Sequence, residues 1–134
     1  MLTERVKEPE EMLLAYYEAL YRGKLERVKQ LMTWESYVMT LESFGLKLAL
    51  NDKQFKTDLA KVDIPEVLEK VEAKLSQDLI AREKAPLIEI VSTKWNGPSR
   101  KSISYLEDGK KKVLYFSKEK EAWRIDYYAG RKVA

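Results

Sequence analysis

Neither cysteine nor histidine occurs among the 134 residues. Without cysteine there is no disulfide framework, no thiolate nucleophile and no Cys-ligated zinc. Without histidine the commonest general base and the commonest metal ligand are missing. Glycine (5) and proline (4) are scarce, and no Gly-rich phosphate-cradling loop is present. No apolar run is long enough to span a membrane. The opening stretch, Met1 to Glu11, is charged and has no apolar centre, so no secretory signal is expected. The net charge of +3 is too small to argue for nucleic acid. The expectation is a cytoplasmic protein with no metal, no cofactor and no membrane partner.

Apolar residues make up 45% of the chain and charged residues 35%, the balance of a globular domain. A chain this long buries roughly two-thirds of its unfolded surface, enough for a core without staples. No linker or repeat divides it, so residues 1–134 read as one domain.

The first half is helical in period. Pro9 suits a first helical turn, and Leu13, Tyr16, Tyr17 and Leu20 form one buried stripe. Gly23 is a natural stop. Leu25, Val28, Leu31 and Met32 continue a second helix. Thr33 is an N-cap for a third, with Trp34, Tyr37, Val38, Leu41, Phe44, Gly45 and Leu48 at spacings of three and four. A short helix over 53–61 follows. Pro65 opens a long one, striped by Leu68, Val71, Leu75 and Leu79, that Pro86 ends.

The second half changes to period two. Strands are expected at Leu87–Trp95, Arg100–Leu106, Lys112–Ser117 and Ala122–Tyr128, separated by Asn96-Gly97-Pro98, Asp108-Gly109 and Lys118–Glu121. Helices first and strands afterwards give an α+β domain, with the helices on one face of a four-stranded antiparallel meander. A two-residue turn at Asp108-Gly109 sets Glu107 opposite Lys110 and Ile103 opposite Leu114. Similar reasoning sets Trp95 opposite Arg100, Ile90 opposite Tyr105 and Phe116 opposite Trp123. The expected core face carries Ile88, Ile90, Ser92, Ile103, Tyr105, Leu114, Phe116, Trp123, Ile125 and Tyr127. The other face carries Glu89, Val91, Thr93, Trp95, Leu106, Val113, Tyr115, Arg124, Asp126 and Tyr128. A one-residue slip would flip a strand.

Two stretches carry a family likeness. Pro9-Glu10-Glu11, Tyr16-Tyr17, Leu20, Gly23-Lys24-Leu25, Val28 and Leu31 are similar to the opening helix pair of the nuclear-transport-factor-2-like superfamily. Gly109, Tyr115-Phe116-Ser117 and Trp123-Arg124-Ile125-Asp126 are similar to its closing hairpin. Together they span under half the chain. The resemblance implies a cone-shaped, cystatin-like fold, shared with ketosteroid isomerase and polyketide cyclases, with a pocket between sheet and helices. It also implies pairing through the outer sheet face, and it implies no reaction. Residues 33–85 look wholly helical, where many members carry an early strand.

An acid–base enzyme of this type needs a carboxylate in the pocket beside a phenol. Phenols are plentiful, but on this register Asp126 and Glu89 point outward and no acid faces the core, so no catalytic residue is assigned. The expected pocket liners are Tyr16, Trp34, Tyr37, Ser92, Tyr105, Trp123 and Tyr127, around a small apolar or aromatic ligand. Val91, Trp95, Leu106, Val113, Tyr115 and Tyr128, rimmed by Arg124 and Asp126, form an outward apolar patch that points to a homodimer. The preferred reading is a non-catalytic ligand-binding or protein-interaction module. The alternative is a cofactor-free isomerase, dehydratase or cyclase using an acid and a tyrosine. Lys110-Lys111-Lys112 and Arg131-Lys132 read as solvated charge, and nucleic acid is not favoured as a partner.

Overall fold

The computed structural model describes residues 8–82 and 85–129. Five helices precede four strands: α1 (Pro9–Tyr21), α2 (Leu25–Leu31), α3 (Trp34–Asn51), α4 (Lys53–Leu59), α5 (Pro65–Ala81), β1 (Ile88–Gly97), β2 (Arg100–Glu107), β3 (Lys110–Glu119) and β4 (Ala122–Ile125). The sheet is an antiparallel meander in the order β1-β2-β3-β4. The α+β architecture is therefore as the change of period predicts.

The helix ends follow from named residues. Pro9 and Pro65 sit in the first turns of α1 and α5, where a missing N–H costs nothing. Thr33 Oγ1 accepts the Ser36 amide at 3.3 Å, capping α3. Gly23 adopts φ +71° between α1 and α2, and a Cβ there would lie 2.6 Å from Ser76 Oγ and 2.7 Å from Ile80 Cγ1 of α5. Glycine is thus required both by the turn and by the approach of α5. The stripe residues Leu13, Leu20, Val28, Leu41, Leu75 and Leu79 are fully buried. They meet Ile103, Leu114, Phe116 and Ile125 from the sheet's inner face.

Strand pairing fits the turn arithmetic at its centre. Ile103 pairs with Leu114, Glu107 with Lys110 and Ile90 with Tyr105. The two-residue turn has positive φ at Asp108 (51°) and Gly109 (82°), the backbone of a twisted hairpin.

Three departures matter for the site. First, β1 bulges between Ile90 and Ser92, so its parity reverses beyond that point. Ser92 pairs with Ser104 on the outer face, whereas Thr93 pairs with Ile103 and Trp95 with Lys101 on the inner face. The expected placement of Ser92 inward and of Thr93 and Trp95 outward is corrected accordingly. Second, β3 and β4 are offset by two residues from expectation. Phe116 pairs with Ile125 and Lys118 with Trp123, because Lys120 and Glu121 form the turn. A shift of two preserves parity, so Trp123 and Ile125 still face inward.

Third, β4 stops at Ile125. The Ile125 carbonyl accepts the Thr33 amide at 3.0 Å, where the α2–α3 junction crosses the strand end. Asp126 is then buried, and its carboxylate accepts the Tyr128 amide at 3.0 Å, so it is not an outward rim residue of the sheet.

These departures break up the expected outward apolar patch. The outer face now reads in cross-strand rows: Glu89–Leu106–Lys111, Ser92–Ser104–Val113, Lys94–Ser102–Tyr115 and Arg100–Ser117–Arg124. No row holds more than one apolar side chain, and Val91, strongly exposed, sits at the bulge outside the rows. Leu106, Val113 and Tyr115 stay outward between serines and charges, without Trp95, Asp126 or Tyr128 beside them on the strands. The basic pair Arg131-Lys132 lies outside the described residues.

Candidate functional site

A cavity of about 420 Å³ opens between α1, α3 and the inner face of the sheet. Consecutive residues of α1 supply two phenols, Tyr16 and Tyr17, with rings 5.0 Å apart and nearly perpendicular. Successive helical positions point about 100° apart, so the two hydroxyls enter different networks. Helix α3 contributes buried Thr40, half-buried Met39 and Phe44, and exposed Ser43 at the rim. The sheet contributes Tyr105, Glu107, Lys112 and Leu114, and Tyr127 follows the end of β4.

One network joins α1 to the sheet. Tyr17 donates to Glu107 Oε1 at 2.6 Å, and the Tyr17 and Tyr105 hydroxyls lie 2.8 Å apart. Lys112 Nζ sits 2.8 Å from Glu107 Oε2, so each carboxylate oxygen has its own donor. Partial burial pushes the Glu107 carboxyl up, but the hydrogen bonds from Lys112 and Tyr17 and the Lys112 charge outweigh it. The group is held below its ordinary value of 4.5. The hydrogen bond to Glu107 raises Lys112 in turn, against partial burial. Burial, with the bonds to Glu107 and Tyr105, pushes Tyr17 far above the ordinary phenol range, and burial raises Tyr105 also.

The second network is neutral. The Tyr16 and Tyr127 hydroxyls are 3.0 Å apart, and Tyr127 lies 3.2 Å from Thr40 Oγ1. Thr40 donates to the Ser36 carbonyl at 3.0 Å. The Tyr127 amide donates to Ser36 Oγ at 2.9 Å, which fixes the segment after β4 against α3. Burial raises Tyr16 well above the ordinary phenol value.

Of the seven expected pocket residues, the structure brings Tyr16, Tyr105 and Tyr127 together at this cavity. Tyr37 faces α5 and donates to Glu72 Oε2 at 2.5 Å. Trp34 borders a separate hollow of about 350 Å³ with Val38, Leu59 and Val62. Ser92 is turned outward by the bulge. Trp123 packs edge-on against Trp95 at 5.7 Å, at the other end of the sheet. There Lys101 lies over the Trp95 ring at 4.9 Å and pairs with Glu10 at 3.3 Å.

Tyr17 and Phe44, expected in helix stripes, also line the cavity, and Glu107, Lys112, Thr40, Met39 and Ser43 join it without having been expected there. The signal for Glu107 was present: it shares the odd parity of Ile103 and Tyr105. The expectation of a core face without acid is therefore corrected. The inward carboxylate is Glu107, beside a tyrosine hydroxyl, while Glu89 pairs with Leu106 on the outer face.

Among the described residues no group of three or more acidic side chains is arranged to hold a metal ion, and no helix is long and apolar enough to cross a membrane. No family model, no curated protein and no solved structure matches this chain.

Proposed function

We propose that this chain is a small-molecule-binding domain whose ligand occupies the cavity between α1, α3 and the sheet. The observation that carries the reading is the line of hydroxyls Tyr105–Tyr17 ending on the Glu107–Lys112 pair along one wall. Met39 and Phe44 of α3, with Leu114 beside Lys112 on β3, supply the apolar part of the lining. An apolar enclosure with a few convergent polar groups is what small-ligand sites share.

The catalytic alternative asks for a neutral acid near physiological pH, or a base free to take a proton. Glu107 offers neither, because Lys112 and Tyr17 hold it ionised and occupied. Non-catalytic binding is therefore the better-supported reading. Helices preceding a meander, packed on one face with a pocket between, also support a distant nuclear-transport-factor-2-like, cone-shaped domain. The outer sheet face lends no comparable support to a sheet-to-sheet homodimer, since serines and charges interrupt every row.

The test is a thermal-shift screen of small aromatic and alicyclic fragments against the native protein and a Ser43→Trp variant. Ser43 is exposed at the cavity rim, so the indole enters the cavity without disturbing the core. Stabilisation of the native protein that is lost in the variant supports the reading. Equal stabilisation of both, or of neither, contradicts it.

A further inference from the structure

The direction of each hydrogen bond in the cavity wall can be worked out from the acceptors at the chain ends. Glu107, paired with Lys112 at 2.8 Å, is a carboxylate and can only accept. Tyr17 has one proton and gives it to Glu107 across 2.6 Å. The 2.8 Å contact between Tyr17 and Tyr105 must then use the Tyr105 proton. Tyr105 keeps only lone pairs for the cavity.

The neutral chain runs the same way. Thr40 commits its proton to the Ser36 carbonyl at 3.0 Å, a better acceptor than the Met32 sulfur at 3.5 Å. The Tyr127 proton goes to Thr40, and the Tyr16 proton goes to Tyr127. Both lines of hydroxyls thus point their protons away from the cavity and end on Glu107 and on the Ser36 carbonyl. A wall of four phenols looks like a set of donors. In this arrangement it is a set of acceptors.

We infer that the ligand is a small neutral molecule that brings its own donors, hydroxyl or amide N–H groups, to the lone pairs of Tyr105 and Tyr16. The inference rests on the binding reading above and adds the chemical class of the ligand. A carbonyl or ether would meet no proton on the four phenols unless the first chain reversed, and would be left to the exposed Lys112 and Ser43 at the rim. Reversal strips Glu107 of its Tyr17 proton, and hydrogen bonds to charged groups are the stronger kind. An anion would face the lone pairs of the phenols, and the Glu107 charge beside them already holds Lys112.

The experiment compares near-isosteric probes by chemical-shift titration of the native protein: benzyl alcohol, which donates, benzaldehyde, which only accepts, and benzoate. Benzyl alcohol is expected to bind about 10-fold more tightly than benzaldehyde, the worth of one hydrogen bond, with benzoate weakest. Benzaldehyde or benzoate binding as tightly as benzyl alcohol overturns the inference and leaves the binding reading standing. Binding of none of the three at the cavity overturns both.

Glu107→Gln supplies a second test. Lys112 has no acceptor, so it keeps the amide oxygen, and the amide NH₂ turns to Tyr17. Tyr17 then donates to Tyr105, and the Tyr105 proton enters the cavity. The variant is expected to favour benzaldehyde. A folded variant that keeps the native order contradicts the proton directions. If it does not fold, the native comparison decides alone.

Discussion

Tyr17 on α1 and Glu107 at the end of β2 are joined by a 2.6 Å hydrogen bond that spans 90 residues of sequence. It ties the first helix to the sheet at the mouth of the cavity, and Lys112 on β3 holds the other carboxylate oxygen. One residue pair thus links the packing of the domain to the chemistry of its pocket.

Removing the hydroxyl tests that link. Tyr17→Phe leaves the buried ring in place, takes a donor from a carboxylate and an acceptor from Tyr105. The expected loss is about 2 kcal/mol, as for hydrogen bonds to charged groups. Urea denaturation of the two proteins measures it. A change below about 0.5 kcal/mol would show that water replaces the hydroxyl without cost.

The acid limb of stability follows from the same carboxylate. Its folded value lies below the ordinary 4.5. Its contribution is therefore present above the ordinary carboxyl range and disappears as pH falls through the folded value. Glu107→Gln carries no such charge. The native protein should lose more stability than the variant between pH 6 and pH 3 in parallel urea melts. Parallel losses would remove Glu107 from the acid response.

The alkaline limb has the opposite sign. Tyr16, Tyr17, Tyr37 and Tyr105 are raised above 10.0, chiefly by burial. Their contribution is complete below the unfolded value near 10 and is lost as pH rises beyond it. Tyrosinate absorbance from these four should appear only together with loss of the helical circular dichroism. Their ionisation in a folded protein would contradict the burial and bonding described for them.

Gly23→Ala tests the seam between the α1–α2 turn and α5. The added methyl meets Ser76 and Ile80 at under 3 Å, in a backbone conformation with φ +71°. Left-handed strain of roughly 1–2 kcal/mol adds to overpacking of a further 1–3 kcal/mol. A melting temperature unchanged by the substitution would mean that α5 shifts freely.

The bulge in β1 has a spectroscopic consequence. Trp95 and Trp123 stand 5.7 Å apart at 62°, a geometry that couples their transitions. Trp95→Ala and Trp123→Ala should each abolish the same circular dichroism band, whereas Trp34→Ala should not. Independent effects of the first two would restore Trp95 to the outer face.

Much of this fold was legible because helix stripes and tight turns are local. Pro9, Thr33, Gly23 and Pro65 mark helix ends by backbone constraints, and Asp108-Gly109 sets the central register. The bulge at Val91 was not legible. No glycine or proline marks it, and a single extra residue reversed Ser92, Thr93 and Trp95 together. The end of β4 was hidden for another reason. It is set by the Thr33 amide, distant in sequence, which takes the Ile125 carbonyl.

The site was half legible. Tyr16 and Tyr105 follow from stripe and parity. Glu107 and Lys112 have the same parity as Tyr105 and Leu114, but charges beside a turn read as solvated ends. Glu107 is half-buried where Tyr17 reaches it from α1, and Lys112 stays exposed at its side.

The most direct test of the central claim is a crystal structure of the native protein soaked with a mixture of small alcohols and amides. The account predicts electron density in the cavity, with a donor atom within hydrogen-bonding distance of Tyr105 or Tyr16 Oη. Density confined to other surfaces, with this cavity holding only water at saturating concentrations, would contradict it.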